Sequence, residues 1–254
     1  MSLAACAEIT RRGDPLRFRA AMAASPDVRR VLFPIYAFNV EVSRTPWITE
    51  EPMIAEMRLQ WWRDVLNEIR TGKPVRSHDV AAQLAAVLDP DGAPALDRLV
   101  AARRWDIYKA PFEDSTHFDE YISKTAGTLM SQTGRLLGAD DLAGAADAGW
   151  AAGLAAFFQA VPELRTRGRQ PLVDESDQAI AELADTGLRR LARARAGQLG
   201  VPVGARAAFY PAAEARLVLE TAKKNPRAVL GGGLGRSEFA LRARFLWVAV
   251  SGRW

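Results

Sequence analysis

The sequence predicts an all-α fold, a bundle of roughly ten helices, and three observations carry that prediction. Alanine, leucine and arginine dominate while β-branched residues are sparse, a composition that favours helix. Apolar residues recur at three- and four-residue steps along most of the chain. Nowhere does the strict alternation of a half-buried strand appear.

The elements follow in order. Ser25-Pro26 pairs an N-cap residue with a proline suited to a first helical turn, so a helix is expected over 26–43. Val28, Val31, Leu32, Ile35, Phe38 and Val42 form its apolar face, and Pro34 is expected to bend or split it. Thr49 opens the next helix, which stops at Gly72-Lys73-Pro74. Its inward arc is read as Ile54, Met57, Trp61, Trp62, Val65, Leu66 and Ile69. Ser77 caps a short helix to about Leu88, and Asp89-Pro90-Asp91-Gly92 makes a turn. Further helical patterns cover 94–109, 116–137, 141–161, 176–198, 204–224 and 237–250. The stretch 168–174 is too short for an interdomain linker and marks no shift in composition, so residues 1–254 are expected to form one domain.

Composition narrows the function. A chain of 254 residues with 49% hydrophobic and 25% charged residues can bury a large core. One cysteine, Cys6, leaves no intrachain disulfide and no multi-cysteine metal cage. His78 and His117 lie far apart without a second histidine at ligand spacing, so no zinc site is expected. The arginines are spread over polar helix faces rather than interleaved with stacking aromatics, which argues against nucleic acid as a partner. No apolar run reaches the roughly 18 residues that span a bilayer. The first residues also lack the basic-then-apolar order of a secretory signal, and a cytoplasmic protein is expected. A net charge of +4 permits peripheral contact with the inner membrane or an acidic partner without establishing either.

Several residues stand out on their own helices. Rotation at 100° per residue puts Asn39 and Ser43 on or beside the apolar arc and Glu41 on the solvent side. An inward Asn39 is either a satisfied core residue or a ligand contact. Arg58 falls inside the apolar arc between Ile54 and Trp62, so it needs an acidic partner, a carbonyl, a path to solvent or an anion to grip. Asp64 and Glu68 have i, i+4 spacing but sit beside Arg63, where a solvated ion-paired face outweighs a metal site. Asp140 and Asp141 precede a helix and read as caps. Gly149, Ala152, Gly153, Ala156 and Ala160 make a small-residue stripe, which serves either close helix packing or a slot for a thin apolar ligand. Arg165, Arg167 and Arg169 form either a solvated loop or a contact for a phosphate or lipid headgroup. The C-terminal stretch, with Arg242, Arg244, Arg253, Trp247 and Trp254, either docks on the core or suits a membrane interface.

The segment 25–64, SPDVRRVLFPIYAFNVEVSRTPWITEEPMIAEMRLQWWRD, resembles the first conserved block of the squalene/phytoene synthase family. YISKTAG at 121–127 is similar to that family's Y-x-x-x-V-A-G helix, and 6–22 is similar to the first helices of its proteobacterial branch. The stretch 153–173 keeps the frame of the second block through Leu154, Val161, Glu163, Gly168, Arg169 and Leu172. Arg58, Gln60 and Trp62 are similar to the R-x-Q-x-W signature of a non-catalytic branch that includes a respiratory complex I assembly factor. The matches cover most of residues 4–173 and imply an isoprenoid synthase-type helical bundle around a central cavity or its filled remnant.

Catalytic members join two prenyl diphosphates, using a D-x-x-x-D pair on each of two facing helices to hold magnesium against the departing diphosphate. Carboxylates four apart share a helix face, and Mg²⁺ prefers such oxygen ligands. Here the first pair is Ser43 and Trp47. In the second block the expected asparagine is Ala156, Arg-Asp is Gln159-Ala160 and the last aspartate is Leu164. The resemblance therefore implies no catalytic residues, no metal ligands and no cofactor. It implies a binding role with a protein partner such as a respiratory complex subunit, and an isoprenoid or lipid as a further candidate ligand. Asn39, Ser43, Arg58, Gln60, Trp62, Tyr121, Ala156, Gln159 and Ala160 are its candidate cavity or partner contacts. An active Mg²⁺-dependent prenyltransferase and a non-catalytic isoprenoid binder remain the alternatives.

Overall fold

The computed structural model describes residues 2–197 and 203–235 together with Trp247 and Ser251, and among these every regular element is helical. Two short helices, α1 (Leu3–Gly13) and α2 (Pro15–Met22), lead into two long ones, α3 (Pro26–Ile48) and α4 (Pro52–Arg70). Then come α5 (Asp79–Ala85), α6 (Ala93–Ala102), α7 (Ser115–Ile122) and α8 (Thr128–Leu136). The longest helix is α9 (Leu142–Thr166), followed by α10 (Asp177–Ala196), α11 (Ala215–Lys224) and α12 (Arg227–Gly231). The expected helix over 237–250, with Arg242, Arg244, Arg253 and Trp254, lies outside the described residues apart from Trp247.

Side-chain caps set five of the helix starts among the described residues. Asp14, Asp114, Asp141 and Ser176 each accept a backbone N–H of their helix's first turn, from Arg17, His117, Gly144 and Ala179. His78, not Ser77, caps α5, its Nδ1 accepting the Val80 N–H at 3.2 Å. Gly72 takes a left-handed φ of 66° and ends α4 where expected.

Several boundaries differ from expectation. Pro34 does not split α3, which runs five residues past Ser43 to Ile48 and carries a second proline, Pro46. Thr49 is the C-cap of α3 rather than the start of α4, and its Oγ1 accepts the Glu51 N–H at 3.1 Å. The predicted helix 94–109 tightens into a 3-10 turn at Arg103–Asp106. The predicted helix 116–137 is interrupted by a π turn at Ser123–Gly127. The pattern 204–224 is a 3-10 segment, Val203–Ala213, that contains Pro211, followed by α11.

α9 is the axis of the bundle. It packs on α7, α8, the π turn, α10, α11, α12 and the 203–213 segment. Its small residues explain how so many neighbours fit. A Cβ on Gly149 would stand 2.6 Å from the Ala126 carbonyl oxygen, and one on Gly153 would stand 2.4 Å from the Ala126 Cβ. At these two glycines the stripe is filled by the π turn, so it serves close packing there.

The inward arc of α4 is rotated from the expected one. Ala55, Leu59, Trp62, Val65, Leu66 and Ile69 are buried, whereas Ile54 and Met57 are exposed. The helix thus carries a second apolar arc that the bundle leaves uncovered.

Candidate functional site

Ser43 and Trp47 lie one turn apart at the C-terminal end of α3. Ser43 is half-buried and spends its hydroxyl on the Val40 carbonyl at 3.2 Å. Trp47 is exposed, and two guanidinium groups stand over its ring, Arg167 at 4.6 Å and Arg169 at 5.1 Å from the centroid. Each such contact is worth about 0.5–1 kcal/mol at an exposed site.

The end of α9 builds that arrangement. Gly168 adopts φ 76°, its N–H reaches the Arg165 carbonyl at 2.9 Å, and the Arg169 N–H reaches the Leu164 carbonyl at 3.1 Å. These paired bonds stop the helix and turn the chain inward. Gly168→Ala forces a Cβ into the left-handed region, and an urea midpoint is expected to report a loss of about 1–2 kcal/mol.

The turn delivers Arg169 into the protein. Its guanidinium is buried, donates to the Tyr108 carbonyl at 3.1 Å and to the Asp106 carbonyl, and faces the Trp105 ring at 5.6 Å. Asp106 in turn joins a polar trio in which it and Tyr121 are buried and Arg103 is half-buried. Tyr121 donates its hydroxyl to Asp106 Oδ1 at 2.8 Å, while Arg103 donates to the Tyr121 oxygen at 2.8 Å and to Asp106 Oδ2 at 3.1 Å. Burial drives the Tyr121 phenol far above its ordinary pKa, so it stays a donor. Trp105, Phe112 and Phe157 pack around the Tyr121 ring.

A cleft of about 740 Å³ opens beside Trp47, lined also by Glu50, Ile107, Lys109, Arg167 and Arg169. Its charged lining is three cations to one acid. Magnesium needs the reverse. The four positions that would supply aspartates are Ser43, Trp47, Ala160 and Leu164, and the remaining acid of the second block, Glu163, is exposed and accepts from Arg167 at 2.6 Å. Among the described residues no group of three or more His, Cys, Asp or Glu could hold a metal ion. The donor set at this mouth does not fit Mg²⁺.

The three arginines singled out in the sequence are engaged within the chain. Arg165 stands 3.4 Å from Glu175, Arg167 pairs with Glu163, and Arg169 serves the two carbonyls. Arg169 is therefore a buried clamp rather than part of a solvated loop.

The remaining candidates do not converge on one pocket. Asn39 is buried within α3, and Trp62 is buried edge-on against Phe38 at 5.2 Å. Gln60 is exposed and donates to Asp64 at 2.8 Å, while Asp64 and Glu68 both pair with Arg76, the ion-paired reading of that face. Ala156 and Gln159 are exposed on α9, Gln159 donating to the Leu234 carbonyl at 3.4 Å, and Ala160 is half-buried. Arg58 reaches solvent along a groove of about 420 Å³ between α4 and α3, where Ile54, Met57, Trp61 and Glu41 also lie. Glu41 is not solvent-facing as expected, since its side chain is only 15% exposed in that groove. Sequence reasoning did not single out Arg103 and Asp106. Their i, i+3 spacing inside an apolar helix pattern is the signal that could have found them.

The family model described as squalene/phytoene synthase matches residues 10–176. A Drosophila melanogaster protein named NADH dehydrogenase (ubiquinone) complex I, assembly factor 6 homolog is 27% identical over 206 residues, 77% of this chain and 60% of its own length. The Homo sapiens assembly factor 6 is 24% identical over 62% of this chain and 48% of its own length. The chain thus spans about half to three fifths of the curated relatives it matches. A dehydrosqualene synthase crystal structure aligns with a TM-score of 0.75 at 17% identity, covering 98% of this chain and 95% of that one. The squalene synthase HpnC from Alicyclobacillus acidocaldarius aligns at 0.69 with 16% identity, over 89% and 94%. At such identities the two structures establish the shared helical fold.

Proposed function

We infer the function of this chain, which belongs to the squalene/phytoene synthase family, from that membership and from what has replaced the metal ligands. The proposal is a non-catalytic member that supports assembly of respiratory complex I through binding, as the names of its relatives suggest. One observation carries the non-catalytic half. Where a diphosphate-ionising site needs carboxylates, this chain has a tryptophan faced by two guanidinium groups. Electrostatic help for a departing diphosphate through bound metal needs an anionic cage, and the mouth is cationic.

Neither alternative gains from the geometry. A prenyltransferase lacks its ligand pairs, and the slot that an isoprenoid binder would use at Gly149 and Gly153 is filled by the π turn. No helix among the described residues is long and apolar enough to cross a membrane. We propose that the chain meets its respiratory partner subunit peripherally, from the cytoplasmic side, with no cofactor.

The purified chain is expected to release no pyrophosphate from farnesyl or geranylgeranyl diphosphate with Mg²⁺. Deleting its gene is expected to lower NADH:ubiquinone oxidoreductase activity of the host's membranes several-fold, and re-expression to restore it. Magnesium-dependent turnover would sink the non-catalytic half, and unchanged oxidoreductase activity the assembly half.

A further inference from the structure

The uncovered arc of α4 is a feature that this reading leaves unused. Trp47, Ile48, Met53, Ile54 and Met57, all exposed, fall within eleven residues at the corner where α3 meets α4. Met53 and Met57 are 74% and 67% exposed, so they project rather than lie flat. Ile54, Met57, Arg58 and Trp61 recur at i, i+3, i+4 and i+7, the spacing with which one helix receives another. A helix segment that is apolar on two sides is built to be covered on both.

The charges on the corner indicate what covers it. At this corner Glu50, Glu51 and Arg58 are exposed and have no side-chain ion-pair partner among the described residues, and Glu51, the N-cap of α4, stands seven residues before Arg58 on the same side of the helix. At 1.5 Å per residue Glu51 and Arg58 stand about 10 Å apart along the helix, with Ile54 between them. A surface bearing an acid and a base on either side of an apolar centre is complementary to itself under a two-fold axis. Packing α4 antiparallel on its mate about Ile54 sets Arg58 of one copy beside Glu51 of the other. An anionic bilayer is a poorer match, because exposed Glu50 and Glu51 sit between Ile48 and Met53 at the tip of the corner.

We propose that the α3–α4 corner is the interface of a symmetric homodimer, with Ile54 and Met57 at its centre and reciprocal Glu51–Arg58 pairs at its edges. The interface is independent of the assembly role and stands or falls separately from it.

Sedimentation equilibrium of the full chain is expected to give twice the 27.8 kDa chain mass. Arg58→Glu and Glu51→Arg are each expected to raise the dimer dissociation constant about tenfold or more, and the double variant to bring it back. Met57→Asp gives a monomer whose helical circular dichroism matches the parent, since the side chain is exposed in the protomer. A monomer at every concentration, a dimer that all these variants retain, or single reversals that the double variant does not rescue would each overturn the proposal. So would a monomeric parent whose binding to phosphatidylglycerol vesicles falls with Met57→Asp, which would assign the corner to a membrane.

Discussion

Gly149→Ala is expected to destabilise the protein by about 3 kcal/mol, at the upper end of what overpacking a core costs. The added Cβ meets three neighbours at once: the Ala126 carbonyl oxygen at 2.6 Å, the Met130 Cβ at 2.7 Å and the Gly127 Cα at 3.0 Å. Two of these are backbone atoms of the π turn, which cannot rotate away as a side-chain tip could. Relief requires α9 to move off the turn, and α9 is the helix on which seven other segments pack. With net stabilities of domains typically about 5–15 kcal/mol, such a loss is a large fraction of the whole. The urea midpoint of Gly149→Ala should fall steeply while the slope stays unchanged, and Gly149→Val should fall further. The result also separates two uses of the small-residue stripe. If the glycines lined a ligand slot, alanine would leave stability nearly unchanged and only narrow the slot. An unaltered midpoint would therefore reopen the isoprenoid-binding reading.

Element type was far more legible in the sequence than element face. Helices α3, α4, α9 and α10 were predicted because helix-compatible apolar patterns run along them, and local signals of that kind survive folding even where the capping residue was misplaced, as at Thr49. The face of α4 was misread for a physical reason. Ile54 and Met57 were assigned inward, while the structure buries Ala55 and Leu59 on the side that meets α3 and α6. Periodicity weights side chains by hydrophobicity, so it passes over an alanine on which a neighbouring helix packs. The same blindness hid the π turn, whose residues follow the helical pattern of their flanks.

At the candidate site, absence was legible and replacement was not. The loss of acids at Ser43, Trp47, Ala160 and Leu164 could be read directly from the aligned blocks. That Trp47 would be faced by Arg167 and Arg169 could not, because it depends on the end of α3 and the end of α9 arriving at one place. Arg58 shows the converse. Its position inside an apolar arc was read as odd, but that arc faces solvent, so the guanidinium needs no buried partner. Arg169, read as one of three loop arginines, is the one that Gly168 turns inward.

Asp106→Ala is expected to cost more than any other single polar change described here, about 3 kcal/mol, because it strands a half-buried cation and a buried hydroxyl together. Asp106 is buried and supplies both the acceptor for the Tyr121 hydroxyl and the counter-charge for Arg103. Without it, Arg103 keeps only the Tyr121 oxygen as partner, and the tyrosine loses the acceptor for its proton. Truncating one member of such a pair leaves the desolvation cost of the other unrepaid, whereas removing both is far milder. The double variant Arg103→Met with Asp106→Leu should therefore recover most of the loss, and thermal denaturation of the single and double variants measures that coupling. Tyr121→Phe removes one hydroxyl and leaves the Arg103–Asp106 pair, so it should cost about 1–2 kcal/mol. The trio also lies directly beneath the carbonyl that Arg169 clamps. Loosening it should free Arg167 and Arg169 from Trp47, which would appear as a shift in tryptophan fluorescence before the global transition. If Asp106→Ala melts with the parent and without that early change, Arg103 has another path to solvent or to an acid. The trio would then be incidental to how the two helix ends are held together.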